Sequence, residues 1–105
     1  MKIAYPIGAS PAGRAVARAA LREALRSRMA MHIRGATAYD EGWCIRIHLE
    51  CDRPLTKRAV RRICGAAPAV AKAVRRAQRA SSAPARVEVL IGRGAGLDTV
   101  TIYAA

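Results

Sequence analysis

The chain has 105 residues, of which 19 are Lys or Arg and only seven are Asp or Glu, giving a net charge of +12 at neutral pH. This length predicts one domain spanning residues 1–105, and the charge favours anionic partners. The sequence has no apolar stretch long enough for a membrane span or a signal peptide, and its three Cys and two His lack the spacing of a zinc site. We therefore expect a cytoplasmic protein without a membrane partner, metal or other cofactor.

The N-terminal segment predicts a short strand and a basic helix. Residues 2–7 (KIAYPI) favour a strand that Pro6 confines to a sheet edge. Ser10 and Pro11 are typical of an N-cap and a first helical residue, which predicts a helix from Pro11 to about Met29. Arginines at every fourth position form a row on this helix: Arg14, Arg18, Arg22 and Arg26.

The loop before this helix, GASPAGRA, resembles a Walker A loop in its glycine spacing. Arg14 stands at the position of the lysine and Ala15 at the position of the hydroxyl that binds Mg²⁺, so the resemblance implies no nucleotide hydrolysis. We interpret the loop as a capped helix start whose backbone amides are a candidate contact for a single phosphate of a nucleic acid.

Residues 33–51 predict a β-hairpin that turns at residues 40–42. The second strand alternates strictly, with Trp43, Ile45, Ile47, Leu49 and Cys51 on one face and Cys44, Arg46, His48 and Glu50 on the other. We expect Trp43, beside the turn, to cover the core rather than to stack on a base.

The polar face of this strand offers a catalytic alternative. A metal-independent ribonuclease would use His48 as acid and base, Glu50 as its partner and Arg46 to bind phosphate. A polar outer strand face explains the same residues, and no second base or nucleophile is evident. We therefore predict no catalytic residues and no enzymatic activity.

The segment from Leu55 to Ala80 predicts an amphipathic helix, capped by Thr56, with a wholly basic outer face. The cations of that face are Lys57, Arg58, Arg61, Arg62, Lys72, Arg75, Arg76 and Arg79. Gly65 and Pro68 interrupt the pattern, and they predict either a kink or a break. With a break, VRRICGAAPAVAKAVRR resembles the DNA-binding helix-turn-helix, which implies a recognition helix followed by a hairpin wing. We favour the kinked helix, because both halves keep the same phase.

A second hairpin, residues 86–103, completes the order β-α-β-β-α-β-β and turns at residues 92–96. The α+β class follows, with both helices packed on one face of an antiparallel sheet and their outer faces merged into one basic surface. Two plans fit this order. One is a ferredoxin-like split βαβ fold with an added strand, and the other is a repeated helix-hairpin unit.

The charge distribution predicts a nucleic-acid-binding protein, for DNA or RNA, that contacts phosphates and reads little sequence. Of the 19 cations 16 are Arg, whose planar fork suits phosphates. The predicted contacts are Arg14, Arg18, Arg22, Arg58, Arg61, Arg62, Lys72, Arg75, Arg76, Arg79 and, at a hairpin tip, Arg93.

Two further interpretations stay open. The chain is also suited to be a non-enzymatic inhibitor that docks on an acidic protein or a nucleoprotein complex, of the mobile-element or anti-CRISPR type. Residues 97–103 predict an apolar edge strand, which favours a homodimer.

Overall fold

Seven elements follow one another in the computed structural model, which describes residues 2–6, 8–27, 33–82, 86–93 and 99–104. They are β1 (Ile3–Ala4), α1 (Pro11–Arg26), β2 (Ile33–Asp40), β3 (Cys44–Cys51), α2 (Lys57–Ala80), β4 (Arg86–Gly92) and β5 (Thr99–Ala104). The predicted order and the α+β class are confirmed. The predicted end of the first helix at Met29 and most of the second hairpin's tip lie outside the described residues.

The five strands form one mixed sheet in chain order, β1-β2-β3-β4-β5. β1 pairs with β2 and β3 with β4 in parallel, whereas the two hairpins β2-β3 and β4-β5 are antiparallel. The predicted antiparallel sheet is therefore wrong. A helical crossover returns the chain to the end of the sheet where the preceding strand began, so the strand after each helix runs parallel to the one before it.

The ferredoxin-like plan is also wrong, because that plan interleaves the strands of its two halves. Here each helix joins two neighbouring strands, and each helix is followed by a hairpin. The arrangement agrees with the repeated helix-hairpin unit: α1-β2-β3 and α2-β4-β5 lie side by side, and β1 adds a two-residue edge.

α2 is a single helix of 24 residues that continues through Gly65 and Pro68, so the helix-turn-helix interpretation is wrong. Ile63 lies before this point and Val70 and Val74 lie after it, yet all three are fully buried in the same core. A turn at Gly65 and Pro68 would rotate one half of α2 away from the sheet and expose its apolar side chains. The burial of each of these side chains contributes about 2 kcal/mol, which favours the continuous helix. The predicted kink at Pro68 remains a prediction.

The core lies between the two helices and one face of the sheet. Ile45, Ile47 and Leu49 of β3 stand opposite Val87, Val89 and Ile91 of β4, and all six are fully buried. α1 contributes mainly small residues, among them Ala17, Ala20 and Ala24, and it packs against α2. Both helices therefore lie on the same face and direct their polar sides away from the sheet, as predicted.

Trp43 is 66% exposed, which contradicts its predicted place over the core. Gly42 has a φ of 84°, a left-handed conformation that glycine adopts readily, and β3 begins only at Cys44. Trp43 thus lies in the bend before the strand, where the alternation of faces does not yet apply.

Candidate nucleic-acid interface

The basic face of α2 arises because its opposite face is anchored in the core. Ala59, Ile63, Val70 and Val74 are buried. The cations occupy the remaining turns, and seven of the eight are exposed, with only Arg62 half-buried. Its first turn holds Lys57 and Arg58 and no acidic residue. Cations at a helix N-terminus oppose the helix dipole, so these charges do not serve the stability of the helix.

The C-terminal half of α2 carries what we call the α2 basic patch, which consists of Lys72, Arg75, Arg76 and Arg79. These four side chains, with Ala80, line a shallow concavity of about 510 Å³. The Arg75 guanidinium carbon lies 5.7 Å from the centre of the Tyr103 ring, a cation–π contact that positions this side chain. Within the described part of the chain, no carboxylate forms an ion pair with any of the four cations. The patch can therefore accept an anion without first breaking a salt bridge.

A second basic concavity, of about 550 Å³, lies between the end of α1 and the first half of α2. Arg61, Arg62, Gly65 and Ala66 line it together with Ser27, the C-cap of α1. The C-terminal end of α1 thus lies beside the N-terminal half of α2, which makes the two helices antiparallel. Ser27 directly follows Arg26, the last arginine of the row on α1.

The third basic concavity, the β1–α1 groove, has a volume of about 500 Å³. It is lined by Lys2, Ile3, Tyr5, Arg14, Arg18, Leu21, Arg22 and Leu25. The guanidinium carbon of Arg14 lies over the Tyr5 ring at 4.6 Å, and its Nε donates a hydrogen bond to the carbonyl oxygen of Ala9 at 3.3 Å. Apolar side chains thus form part of the groove, and the arginine row supplies its charge.

Nine of the eleven predicted cations line the three concavities. The first is formed by α2, the second by α2 and the end of α1, and the third by α1 and β1. Arg58, in the first turn of α2, lines none of the three. Lys2 and Tyr5 were missed from the sequence. The signal that could have found Tyr5 is an aromatic residue in a strand leading directly into an arginine row.

Arg93 does not belong to this surface. It is exposed and follows Gly92, which pairs with Glu50 near the end of β3. That is the end of the sheet where α2 begins, so Arg93 lies far from the α2 basic patch. The rest of its hairpin turn falls outside the described residues.

The loop that resembles Walker A already holds an anion, the carboxylate of Asp40. Oδ2 of Asp40 accepts hydrogen bonds from the backbone N–H of Ser10 at 2.9 Å and from its hydroxyl at 2.7 Å. The Ser10 hydroxyl oxygen in turn accepts the N–H of Gly13 at 3.0 Å, which confirms the predicted N-cap. A phosphate at this helix start would meet amides that are in use and a negative charge, so the suggested phosphate contact is not supported.

The hydrogen bonds at this cap lower the pKa of the Asp40 carboxyl group. The hydrogen bond from the Ser10 hydroxyl is the largest cause that holds the pKa of Asp40 below its usual value, and the N–H groups of Gly42 and Ser10 add to it, while burial opposes them in part. A depressed folded-state pKa means that the ionised carboxylate stabilises the fold above the unfolded-state pKa of about 4, and that this contribution is lost as the pH falls through the folded-state pKa.

Replacement of Asp40 by Asn is expected to destabilise the protein by about 1 kcal/mol at neutral pH, because the amide keeps an acceptor oxygen but loses the negative charge at the N-terminus of α1. The difference between the parent protein and Asp40→Asn should shrink as the pH falls from about 5 towards 2, because the parent carboxylate becomes protonated. Urea unfolding over this pH range measures it. A difference that stays constant would show that Asp40 acts through packing and not through its charge.

The face of the sheet that points away from the helices carries the predicted ribonuclease residues. Arg46 is already paired with a carboxylate and is not free to bind a phosphate. Its Nε donates a hydrogen bond to Glu88 at 3.2 Å, and Arg86 donates to the same carboxylate at 3.0 Å. The hydrogen bonds from Arg86 and Arg46 lower the pKa of Glu88. The His48 Nε2 is sealed from solvent and has no hydrogen-bond partner, so a substrate cannot reach this atom in the described conformation. Burial also raises the pKa of the Cys44 thiol, which disfavours a thiolate nucleophile.

Among the described residues, no group of three or more His, Cys, Asp and Glu side chains is placed to hold a metal ion. Neither of the two described helices has the length and apolar character to cross a membrane. The chain matches no protein-family model, no curated protein and no solved structure.

Proposed function

We propose that the protein binds nucleic acid through the phosphate backbone, with the helical side as its interface, and that it is not an enzyme. The observation that carries this proposal is the α2 basic patch. Four cations surround one concavity on a helix whose other face is fixed in the core, and no acidic residue occurs between Asp52 and Glu88. Because the helix fixes the backbone of these residues, binding to phosphates needs to order only their side chains.

Low sequence specificity follows from the side chains available. Base edges are read by Arg or Lys at guanine, by Asn or Gln at adenine and by Glu or Asp at cytosine. The outer face of α2 has only Lys and Arg among these types, and Gln78 is half-buried and accepts a hydrogen bond from the Tyr103 hydroxyl at 3.1 Å. Guanine is therefore the one base that these side chains are suited to read, and their contacts to phosphates carry no sequence information.

The proposal is tested by fluorescence anisotropy with labelled DNA and RNA at 50 and 200 mM salt. We expect micromolar or tighter binding at the lower concentration. If about five phosphates are contacted on a duplex, affinity should fall several hundred-fold between the two, because each contact adds about 0.9 to the salt slope. No measurable binding to DNA or RNA at low salt would refute the proposal.

A second candidate is docking on an acidic protein partner, including an inhibitor role on a nucleoprotein complex. It is favoured by the position of β5, which is the last strand of the sheet and pairs with β4 on one side. A groove of about 470 Å³ runs beside it, between β5 and α2, and includes Ala67, Ala71, Ile102 and Arg75. An acidic extended segment could add to this edge as a further strand, as could β5 of a second copy in a homodimer.

The two candidates are separated by affinity capture with and without nuclease. A protein partner that persists after nuclease treatment supports docking, whereas loss of all captured material supports nucleic-acid binding. The predicted homodimer is measured on the purified protein by sedimentation, where a monomer at high concentration would contradict it.

A further inference from the structure

We propose that the β1–α1 groove receives one unpaired nucleotide of a single-stranded nucleic acid. The base would lie against the apolar part of the groove and the adjoining phosphates against its arginines. This inference rests on the proposed function and goes further, because it assigns the groove to single strands and leaves the α2 basic patch as the contact for phosphates of any strand.

The first observation is the apolar part of the groove. Ile3 and Tyr5 come from the strand side, and Leu21 and Leu25 from the helix side. Leu25 remains 37% exposed, which makes it one of three large apolar side chains at the surface among the described residues. The flat face of a nucleobase would remove this surface from water, which is favourable in proportion to the area covered, while the polar edges of the base face solvent.

The second observation is a stacked pair at the edge of the groove. Arg14 lies over the Tyr5 ring at 4.6 Å, and its hydrogen bond to Ala9 fixes the position of the guanidinium group. Unpaired bases stack on aromatic rings and on guanidinium planes, and such stacking tolerates any base. A base that enters the groove could therefore stack next to the existing Arg14–Tyr5 pair.

The third observation is the spacing of the charges. Arg18 and Arg22 are one helical turn apart, which places them about 6 Å from each other along the axis. This separation is close to that of consecutive phosphates in one strand. A base within a duplex is paired and stacked, so it cannot enter the groove without being unpaired first. The groove is therefore suited to single strands, or to loops and ends.

The experiment compares three labelled probes that carry the same number of phosphates: a single-stranded oligonucleotide, its abasic counterpart and a duplex. We expect the oligonucleotide to bind about 10-fold tighter than the abasic strand, from a stacking contribution of about 1–3 kcal/mol for one base. Leu25→Gln should reduce this ratio towards one, while leaving the affinity for the abasic strand unchanged. Because Leu25 is partly exposed, the variant is expected to fold, which its melting temperature verifies.

Arg22→Gln is the matched control on the same helix. It should weaken binding of the intact and the abasic strand by the same factor, since it removes a phosphate contact and no contact to the base. Equal affinities of the parent protein for intact and abasic strands would overturn the inference and leave the proposed function standing. Failure of all three probes to bind would refute both.

Anionic lipid vesicles form a further arm of the experiment, because a lipid also combines an apolar part with phosphate. Two results together would overturn the inference and assign the groove to lipid. The protein would bind vesicles and lose this binding on Leu25→Gln, and it would not distinguish intact from abasic strands. No binding to vesicles, together with base-dependent binding to the oligonucleotide, supports it.

Discussion

Replacing Arg76 and Arg79 together by Gln is expected to weaken nucleic-acid binding about 50-fold near 0.1 M salt and to reduce the salt slope by about 1.8. Both side chains line the α2 basic patch and are exposed. Arg75 is left in place because it packs on the Tyr103 ring, so its loss would change packing as well as charge. Gln is a good helix former, and it places no negative charge near the C-terminus of α2, where the helix dipole opposes one.

The matched control is Arg34→Gln with Arg53→Gln, which removes the same net charge. Arg34 is exposed near the start of β2, and Arg53 is exposed in the turn after β3. Neither belongs to the patch, so we expect less than about a threefold change in affinity from the lost net charge alone. If the control weakened binding as strongly as the patch variant, net charge and not the α2 basic patch would explain the affinity.

The same patch variant should weaken binding to all sequences by a similar factor. A phosphate contact carries no sequence information, so its loss lowers affinity without changing preference. Anisotropy with several unrelated oligonucleotides measures this. A change in the order of preferred sequences would indicate that Arg76 or Arg79 reads base edges.

The basic face could be predicted from the sequence because it depends on a local period. Cations and apolar residues keep their 3.6-residue phase from Lys57 to Arg79, and the apolar side enters one core. Gly65 and Pro68 are turn signals of local origin. The helix continues through them because Ile63 on one side and Val70 on the other pack in the same core, a tertiary effect that outweighs the local cost of proline.

The strand neighbours could not be predicted in the same way. Alternation in β3 specifies which face is buried, but it does not specify which strand lies beside it. β1 has only two paired residues, Ile3 and Ala4, too few for any periodic signal of its parallel pairing with β2. The β1–α1 groove exists because of that pairing, so the place of Leu25 in a concavity with Tyr5 follows only from the fold.

The second prediction with a large effect concerns stability: the same substitution, Gly→Ala, is expected to have opposite effects at Gly13, beside the cap of α1, and at Gly65 in α2. Both lie inside helices, and in an exposed helix interior Gly→Ala stabilises by about 1 kcal/mol. A Cβ on Gly65 would meet no atom within 4 Å, so Gly65→Ala is expected to stabilise the protein by about this amount. A Cβ on Gly13 would collide with Oδ2 of Asp40 and lie 3.1 Å from its Cγ.

Gly13→Ala is therefore expected to destabilise the protein, by about 1–3 kcal/mol, although the substitution is the same. The carboxylate has two options, and both are unfavourable. If Asp40 stays, the Cβ and Oδ2 overlap. If it rotates away, Oδ2 loses its two hydrogen bonds from Ser10, and the N-terminus of α1 loses a negative charge that its dipole favours. Urea unfolding of Gly13→Ala and Gly65→Ala measures the change in the free energy of unfolding, which should be negative for the first variant and positive for the second.

A double-mutant cycle with Asp40→Ala identifies the cause. Removal of the Asp40 carboxylate takes away the two nearest contacts of a Cβ at position 13, and the next nearest is the Ser10 hydroxyl oxygen at 3.3 Å. Gly13→Ala should then become neutral or stabilising in the Asp40→Ala background, which corresponds to a coupling free energy of about 1–3 kcal/mol between the two positions. An equal loss in both backgrounds would instead place the strain in the backbone of α1. The cycle thus tests whether position 13, a glycine in the loop that resembles Walker A, needs a residue without a Cβ because the carboxylate of Asp40 packs against it.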